Sequence, residues 1–444
     1  MKPLYFVVVF VLLFCRCGNG QEIKPLYPEK WDEIENYIRN NWLKYIGTKP
    51  DLPKPYSYAL NPGTLYYWDL YFINEGLMSQ GFNEQALNNI DDFIFEIEKL
   101  GFIPNAMGWG ENRSQTPYFG AMVRSYYDNC STKDKAWLAV AYHALLAEYE
   151  FWTNSNGNQI EDHTSTIDGL QHFGNHADTA YSIDFYKGTL TRIPRLNPAT
   201  ATLEDTVSFS NHRIAEAETM DFTNRFEGRC MDFIAVDLNS NLWYYEMCLA
   251  YFERELGISN GKTWEQKAKT RAELINRYCW SEERGLYLDY DYVNGRHSSV
   301  ASVATLMPLY WGFADKKRAA AVRRNLTLFD SDGGLVVCEP TDEQYHYQWG
   351  DKAVWAPVQF LAIRSMKRYG FKADAERYAM KFLNTVTKNF VEPYPNRNGA
   401  RKPGFLWEKF TREGDINDDE YTCNHMMGWT AATFLEAKKC LVPR

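Results

Sequence analysis

Apolar residues recur along this chain at helical spacing and almost nowhere at strand spacing. That restricts it to folds in which helices pack against helices. Trp31, Ile34, Ile38, Trp42 and Tyr45 share one face of an early helix, Leu138, Tyr142, Leu145, Tyr149 and Trp152 form a second stripe, and Leu238, Leu242, Tyr245, Leu249 and Phe252 a third. Ser131 and Asp134 read as a capping box before the second. Stretches free of Gly and Pro at 358–368, 373–389 and 429–439 extend the pattern. The best strand signal is the alternation of Leu286, Leu288 and Tyr290 between Gly285 and Asn294-Gly295, a short hairpin. The chain is therefore expected to be all-α, and its loops rich in Trp, Asp, Asn and Gly fit either a helical toroid carrying its chemistry at one end or a helical repeat solenoid. No fixed-period repeat of the solenoid kind is evident.

The 444 residues could hold two or three average domains, but no low-complexity linker or composition break divides them. A single domain over 21–444 is expected. Before it, Lys2, an apolar run from Leu4 to Phe14 and small residues at Gly18–Gly20 follow the pattern of a secretory signal over 1–20, so export is expected, periplasmic or secreted. Cys15 and Cys17 leave a lipid anchor open, although Phe14 and Arg16 are poor lipobox residues. The apolar run is too short to span a bilayer, and no second one of membrane length follows.

A net charge of −9 without a basic stretch argues against nucleic acid as a partner. The seven cysteines after the leader are scattered, odd in number and free of any CxxC pair, so most are expected to be buried free thiols. With 8 His and no HExxH, no metal or other cofactor is expected. Aromatic residues make up 16% of the chain, which suits stacking on sugar rings and equally suits a large aromatic core.

Five loops concentrate chemistry-bearing residues. Trp68-Asp69 sets a stacking surface beside a bidentate acceptor, though a helix entry would look similar. Asn105 precedes Arg113-Ser114-Gln115, a cluster of donors for hydroxyls or for loop carbonyls. Asp221 lies among Met220, Phe222 and Phe226, surroundings that disfavour the charged carboxylate as a general acid requires. Asp237 or Asn239 reads as a helix cap. Trp349 and Trp355 flank a helix start, and Glu408 stands beside aromatic residues ahead of Glu420 and Gly428-Trp429.

Taken in order, these loops resemble the trehalases, glycoside hydrolase family 37, from about Tyr56 to Ala432. The family's PGGRFxExYYWDSYF is similar to Pro62-Gly63 with Tyr66-Tyr67-Trp68-Asp69-Leu70-Tyr71-Phe72, and its SGWDFSSRW to the segment from Thr219 to Phe226. Its VPVDLNxxL is similar to the segment from Ala235 to Leu242, and its GWYFDYD to that from Gly285 to Asp291. Its QWDxPxGWAPxQ is similar to Gln348-Trp349 with Trp355-Ala356-Pro357-Val358-Gln359. The resemblance implies an (α/α)6 toroid of helical hairpins and an inverting glycosidase acting on α,α-trehalose or another small α-glucoside. Asp221 would be the general acid and Glu408 the base, with carboxyls roughly 6.5–9.5 Å apart to admit a water. It further implies substrate contacts from Trp68, Asp69, Asn105, Arg113, Ser114, Gln115, Arg195, Arg213, Trp349, Trp355 and Glu420. The arginine of PGGRF has no counterpart, the acidic residue of the family's PRPE falls on Asn197, the Trp before the acid is Met220, and the Asp of QWD is Gly350. A hydrolase of a different α-linked sugar, and a sugar-binding protein on a degenerate toroid, therefore stand beside the trehalase reading.

Overall fold

The computed structural model describes residues 15–16, 22–59, 63–153, 168–189, 196–342, 345, 347–396, 399–401, 404–417 and 425–441. Among them are fourteen α-helices: α1 (Trp31–Asn41), α2 (Tyr67–Ser79), α3 (Asn83–Leu100), α4 (Phe119–Asn129), α5 (Lys135–Thr153), α6 (Thr179–Thr189), α7 (Leu203–Glu216), α8 (Val236–Leu256), α9 (Lys262–Tyr278), α10 (Met307–Trp311), α11 (Lys316–Asn325), α12 (Ala356–Arg368), α13 (Lys372–Val391) and α14 (Gly428–Leu441). Strands are limited to pieces of two or three residues.

Six helices form an inner ring. α2 packs on α4, α4 on α8, α8 on α10, α10 on α12, α12 on α14, and α14 returns to α2. α3 and α5 lie outside this ring against α4 and α8, α9 against α8, and α13 against α12 and α14, so the expected (α/α)6 toroid is the observed fold. The inner helix α2 is covered on nearly every side: ten of its residues from Tyr67 to Leu77 are buried. The outer helices α1 and α9 keep an exposed charged face. Closure between the first and last inner helices depends on small residues. A Cβ at Gly76 would stand 2.8 Å from Cβ of Ala432 and 3.0 Å from the Trp42 ring, and one at Gly428 would stand 2.6 Å from Cγ1 of Ile73.

Aromatic side chains fill the middle of the ring. Tyr71 stacks on Tyr118 with centroids 4.5 Å apart, Tyr244 stacks on Trp311 at 3.9 Å, and the Tyr71 and Tyr310 hydroxyls share a short hydrogen bond. Much of the aromatic excess is thus core. Cys230, Cys248, Cys279 and Cys338 are buried free thiols, and Cys130 and Cys440 are free and half-buried. Two hairpins occupy the region of strand signal: Trp280–Ser281 pairs with Leu286–Tyr287, and Tyr290–Asp291 with Arg296–His297 across Asn294-Gly295.

Two helix starts differ from expectation. α5 is capped by Asp134 alone, whose Oδ1 accepts from the Ala136 and Trp137 amides at 2.9 and 3.0 Å. The N-cap of α8 is Ala235, which has no side-chain bond to give. Asp237 and Asn239 sit inside that helix, drawn away by other partners: Asp237 by an arginine, Asn239 by both backbone groups of Gln171. Of the expected leader, only Cys15–Arg16 are described, paired antiparallel with Glu22–Ile23. No helix among the described residues is long and apolar enough to cross a membrane.

A buried carboxyl joins three helices. Glu148 of α5 accepts from the hydroxyls of Tyr67 (2.6 Å) and Tyr245 (2.8 Å). Burial lifts it to about 7, against those two hydrogen bonds. A carboxyl that holds its proton more tightly when folded stabilises the fold fully below its unfolded value of 4.5, and that contribution is lost as the pH rises through about 7. Glu148→Gln should therefore flatten the fall in stability between pH 4.5 and 7, measured by urea unfolding at a series of pH values. Parallel wild-type and variant curves would contradict this account.

Candidate active site

The loops entering the inner helices meet at one rim of the ring. Tyr66, the extended N-cap of α2, bridges to Ala106, and the Met107 amide donates to Leu65 O at 3.0 Å. The chain can therefore start a helix at Tyr67 with Trp68 and Asp69 in its first turn. The Trp68 amide, one of the donors a helix start leaves without a partner, is satisfied by Oε1 of Gln115 at 2.9 Å. Asn105 donates its side-chain amide to Ala217 O at 2.6 Å, and Ser114 donates its hydroxyl to Ile103 O at 2.6 Å. Three of the expected sugar contacts thus also fasten the loops. Arg113 is buried, donates to Asn112 Oδ1 (2.7 Å) and the Tyr181 hydroxyl (3.1 Å), and leaves its Nε–H without a hydrogen-bond partner.

The loop that carries Asp221 is held from several sides. Arg225 is wholly buried and divides its guanidinium between two carboxylates. It donates to Asp289 at 2.8 and 2.7 Å from Nε and Nη2, and to Asp237 at 2.8 and 3.0 Å from Nη1 and Nη2. Thr219 donates to the same Asp237 at 2.5 Å. Glu218 accepts from the Ser114 and Gly174 amides at 2.8 Å each. Arg213 pairs with Glu216 at 2.8 Å and donates to Thr223 O at 3.2 Å. Burial lifts Glu216 to about 7 against the Arg213 charge, and nearby Asp221 adds to the rise. Within this frame Phe222 adopts a left-handed φ of 54°, uncommon for a side chain of its size, and its carbonyl accepts from the Trp349 amide at 3.3 Å.

Four tryptophans from four rim segments form one cluster. Trp349 and Trp355 stack with centroids 3.8 Å apart and planes 6° from parallel. Trp429 stands edge-on to both at 6.3 and 5.7 Å, and Trp68 lies 5.4 Å from Trp349. Glu408 is fixed against this cluster. Residues 409–411 pair with 353–355, the Trp429 Nε1–H donates to Glu408 O at 3.3 Å, and Thr430 donates to Trp407 O at 2.6 Å.

The acidic groups act on one another and on Tyr66. Burial first, then the charges of Glu408 and Asp221, push the Asp69 carboxyl well above its ordinary range. Burial, Asp69, Glu408 and Asp221 all raise the Tyr66 hydroxyl. Asp69 and Glu408 are buried, while Asp221 is half-buried. The rim therefore holds three carboxyls and a phenol within electrostatic reach of one another, with Glu408 tied to the tryptophan cluster through Trp429. Among the described residues, no group of three or more His, Cys, Asp and Glu could hold a metal.

The structure thus brings together Trp68, Asp69, Asn105, Arg113, Ser114, Gln115, Asp221, Trp349, Trp355 and Glu408, with Arg213 behind the Asp221 loop. Arg195 and Glu420 lie outside the described residues. Tyr66, Glu218, Arg225 and Trp429 also shape the site and carry weaker sequence signals, because their partners lie 12 to more than 100 positions away or are other aromatic rings, whereas Glu216 pairs with Arg213 only three positions away.

The model of the trehalase family matches residues 28–440. The chain belongs to the trehalase family. It is therefore a glycoside hydrolase of trehalase-like type. Among solved structures, the neutral trehalase Nth1 from Saccharomyces cerevisiae superposes with a TM-score of 0.71 at 23% identity, covering 92% of this chain and 80% of that one. A mannosylglycerate hydrolase from Thermus thermophilus in complex with glucose gives 0.61 at 16% identity, over 91% and 99%. An alpha mannosidase from Streptococcus pneumoniae gives 0.57 at 11%, over 94% and 95%. At these identities the three share the fold with this member of the trehalase family.

The Arg225 pairing yields a stability prediction. Arg225→Ala leaves two buried carboxylates without their cation and should cost about 3–5 kcal/mol in urea unfolding. A loss below about 1 kcal/mol, as for an exposed pair, would show that the pairing does not hold the loop.

Proposed function

We propose that this protein is an inverting glycosidase that hydrolyses a small α-glucoside, with α,α-trehalose the first candidate. The observation that carries the reading is that Asp221, Glu408 and Asp69 lie close enough for their charges to act together on Tyr66, with Glu408 fastened to the tryptophan cluster through Trp429. In this reading Asp221, on the half-buried loop, donates a proton to the glycosidic oxygen as that bond breaks. Glu408, buried and braced by Trp429 and the 409–411 strand, takes a proton from water attacking the opposite face of the sugar. Asp69, whose surroundings favour the protonated carboxyl, would donate to a sugar oxygen as well as accept from a hydroxyl.

A second reading keeps the chemistry and changes the sugar. The missing PGGRF arginine and the Met220 and Gly350 replacements alter the shell around the substrate, and a lost polar partner can change discrimination by orders of magnitude. A binder without turnover is the weaker alternative, since recognition alone needs no paired carboxylates at opposite sides of a bond. We further propose export, on the strength of the charged, apolar and small pattern over 1–20.

Purified enzyme should release glucose from at least one α-linked disaccharide in a panel that includes α,α-trehalose. Asp221→Asn and Glu408→Gln should each lower kcat by at least about a thousandfold with the fold intact by circular dichroism. Wild-type turnover in either variant would remove that residue from its role.

A further inference from the structure

The outer helix α9 leaves a groove of about 710 Å3 against α5 and α8, a size within the roughly 300–1,000 Å3 of small-molecule sites. None of the residues that line it belongs to the proposed active site. Its floor is polar and buried. Glu246 of α8 and Arg271 of α9 pair at 2.8 Å, with side chains 1% and 7% exposed. Only one oxygen of Glu246 is engaged. Oε1 accepts from Arg271 Nε and Nη2 at 3.0 and 2.8 Å and from the Tyr149 hydroxyl at 2.7 Å. Oε2 is buried and has no hydrogen-bond partner among the described residues. Arg271 is held in this pose, because its Nη1 donates to Gln171 Oε1 at 2.6 Å and to Asn239 Oδ1 at 3.1 Å. A buried carboxylate oxygen without a donor is costly, and a donor brought by a ligand would remove that cost.

The wall that α9 contributes is cationic. Lys262 and Lys267 line the groove from the first two turns of that helix. Neither has a carboxylate partner among the described residues, and Lys267 Nζ lies over the Tyr149 and Trp264 rings at 5.3 and 4.5 Å. The N-cap of α9 is Gly261, which brings no side chain to the positive end of the helix. The groove's other carboxylate, Asp168, is already engaged by the Tyr278 hydroxyl at 2.7 Å and by Arg277 at 3.7 Å. Tyr149 sets the spacing of the two features. Its ring carries the Lys267 ammonium and its hydroxyl bonds Glu246, so cation and open carboxylate oxygen stand about one tyrosine side chain apart.

We infer that this groove is a second ligand site and that its ligand is a sugar phosphate. The phosphate sits at Lys262, Lys267 and the start of α9, and a sugar hydroxyl donates to Glu246 Oε2. Simpler ligands leave one feature unmatched. Inorganic phosphate gives Oε2 no donor at that spacing, and a neutral sugar leaves two ammonium groups at a helix start without an anion. A nucleotide base would need a ring to stack on, and Lys267 covers the Tyr149 face that the groove offers. The inference concerns binding alone and does not depend on the glycosidase reading.

Titration calorimetry of the purified protein tests it with three probes: glucose 6-phosphate, inorganic phosphate and glucose. Glucose 6-phosphate should bind with a Kd of about 1 mM or tighter, and at least roughly tenfold more tightly than either of the others. The double variant Lys262→Ala, Lys267→Ala should weaken that binding at least about tenfold with an unchanged circular dichroism spectrum. Thr270→Trp, which fills the groove from the exposed face of α9 and leaves its charges in place, should do the same. No binding of glucose 6-phosphate would overturn the inference. Equal affinity for inorganic phosphate would overturn the sugar part of it, since Glu246 would then recognise nothing. Binding that survives both variants unchanged would belong to another site and would overturn it too. None of these results bears on turnover of an α-glucoside, so the glycosidase reading stands or falls separately.

Discussion

Closing six inner helices into a ring sets their loops against one another at a single rim, and the site follows from that closure. The ring closes where the backbones of α2 and α14 approach across Gly76 and Gly428, positions where a methyl group would collide with Ala432, Trp42 or Ile73. Once closed, the first turns of α2 and α14 and the N-cap of α12 deliver Trp68, Trp429 and Trp355 to one aromatic cluster. The helix amino termini carry partial positive charge, so a rim built from them tolerates carboxylates that would be costly elsewhere in the interior. Asp69 shows the limit of that compensation. Although it lies in the first turn of α2, burial and the charges of Glu408 and Asp221 still favour its protonated form.

The Asp221 loop needs a different kind of support, because it belongs to no helix. Its anchors are polar and buried: Arg225 between Asp237 and Asp289, Glu218 between two backbone amides, Arg213 between Glu216 and the Thr223 carbonyl. Each group satisfies another that burial would otherwise penalise, and together they hold Phe222 in a left-handed conformation beside Asp221. The loop is over-determined in the way a group that must be placed accurately requires. Glu408 is placed by simpler means, a short strand pairing and a tryptophan N–H.

Much of this architecture is legible in the amino-acid sequence, for physical reasons that differ by element. Helices such as α5 and α8 bury one continuous stripe, so their periodicity survives in the residues from Leu138 to Trp152 and from Leu238 to Phe252. The rim loops are legible as clusters of Trp, Asp, Asn and Arg, since those residue types are rare together in plain helix. The pairing within the rim is not legible. Nothing local links Arg225 to Asp289, 64 positions away, or tells that Asp237 turns to an arginine when its position suits a cap. The tryptophans divide the same way: Trp152 and Trp311 are core, Trp349 and Trp355 belong to the rim, and composition alone does not separate them.

The central claim is that water attacks the sugar from the side opposite the departing oxygen, with Glu408 and Asp221 on the two faces. Proton NMR of the first minutes of hydrolysis, before mutarotation, tests it most directly. With α,α-trehalose, inversion at the cleaved centre predicts α- and β-glucose appearing together in equal amounts. With maltose or another α-linked glucoside, the newly formed reducing end should appear as the β anomer. Accumulation of the α anomer alone from the cleaved centre would mean net retention and would contradict the account.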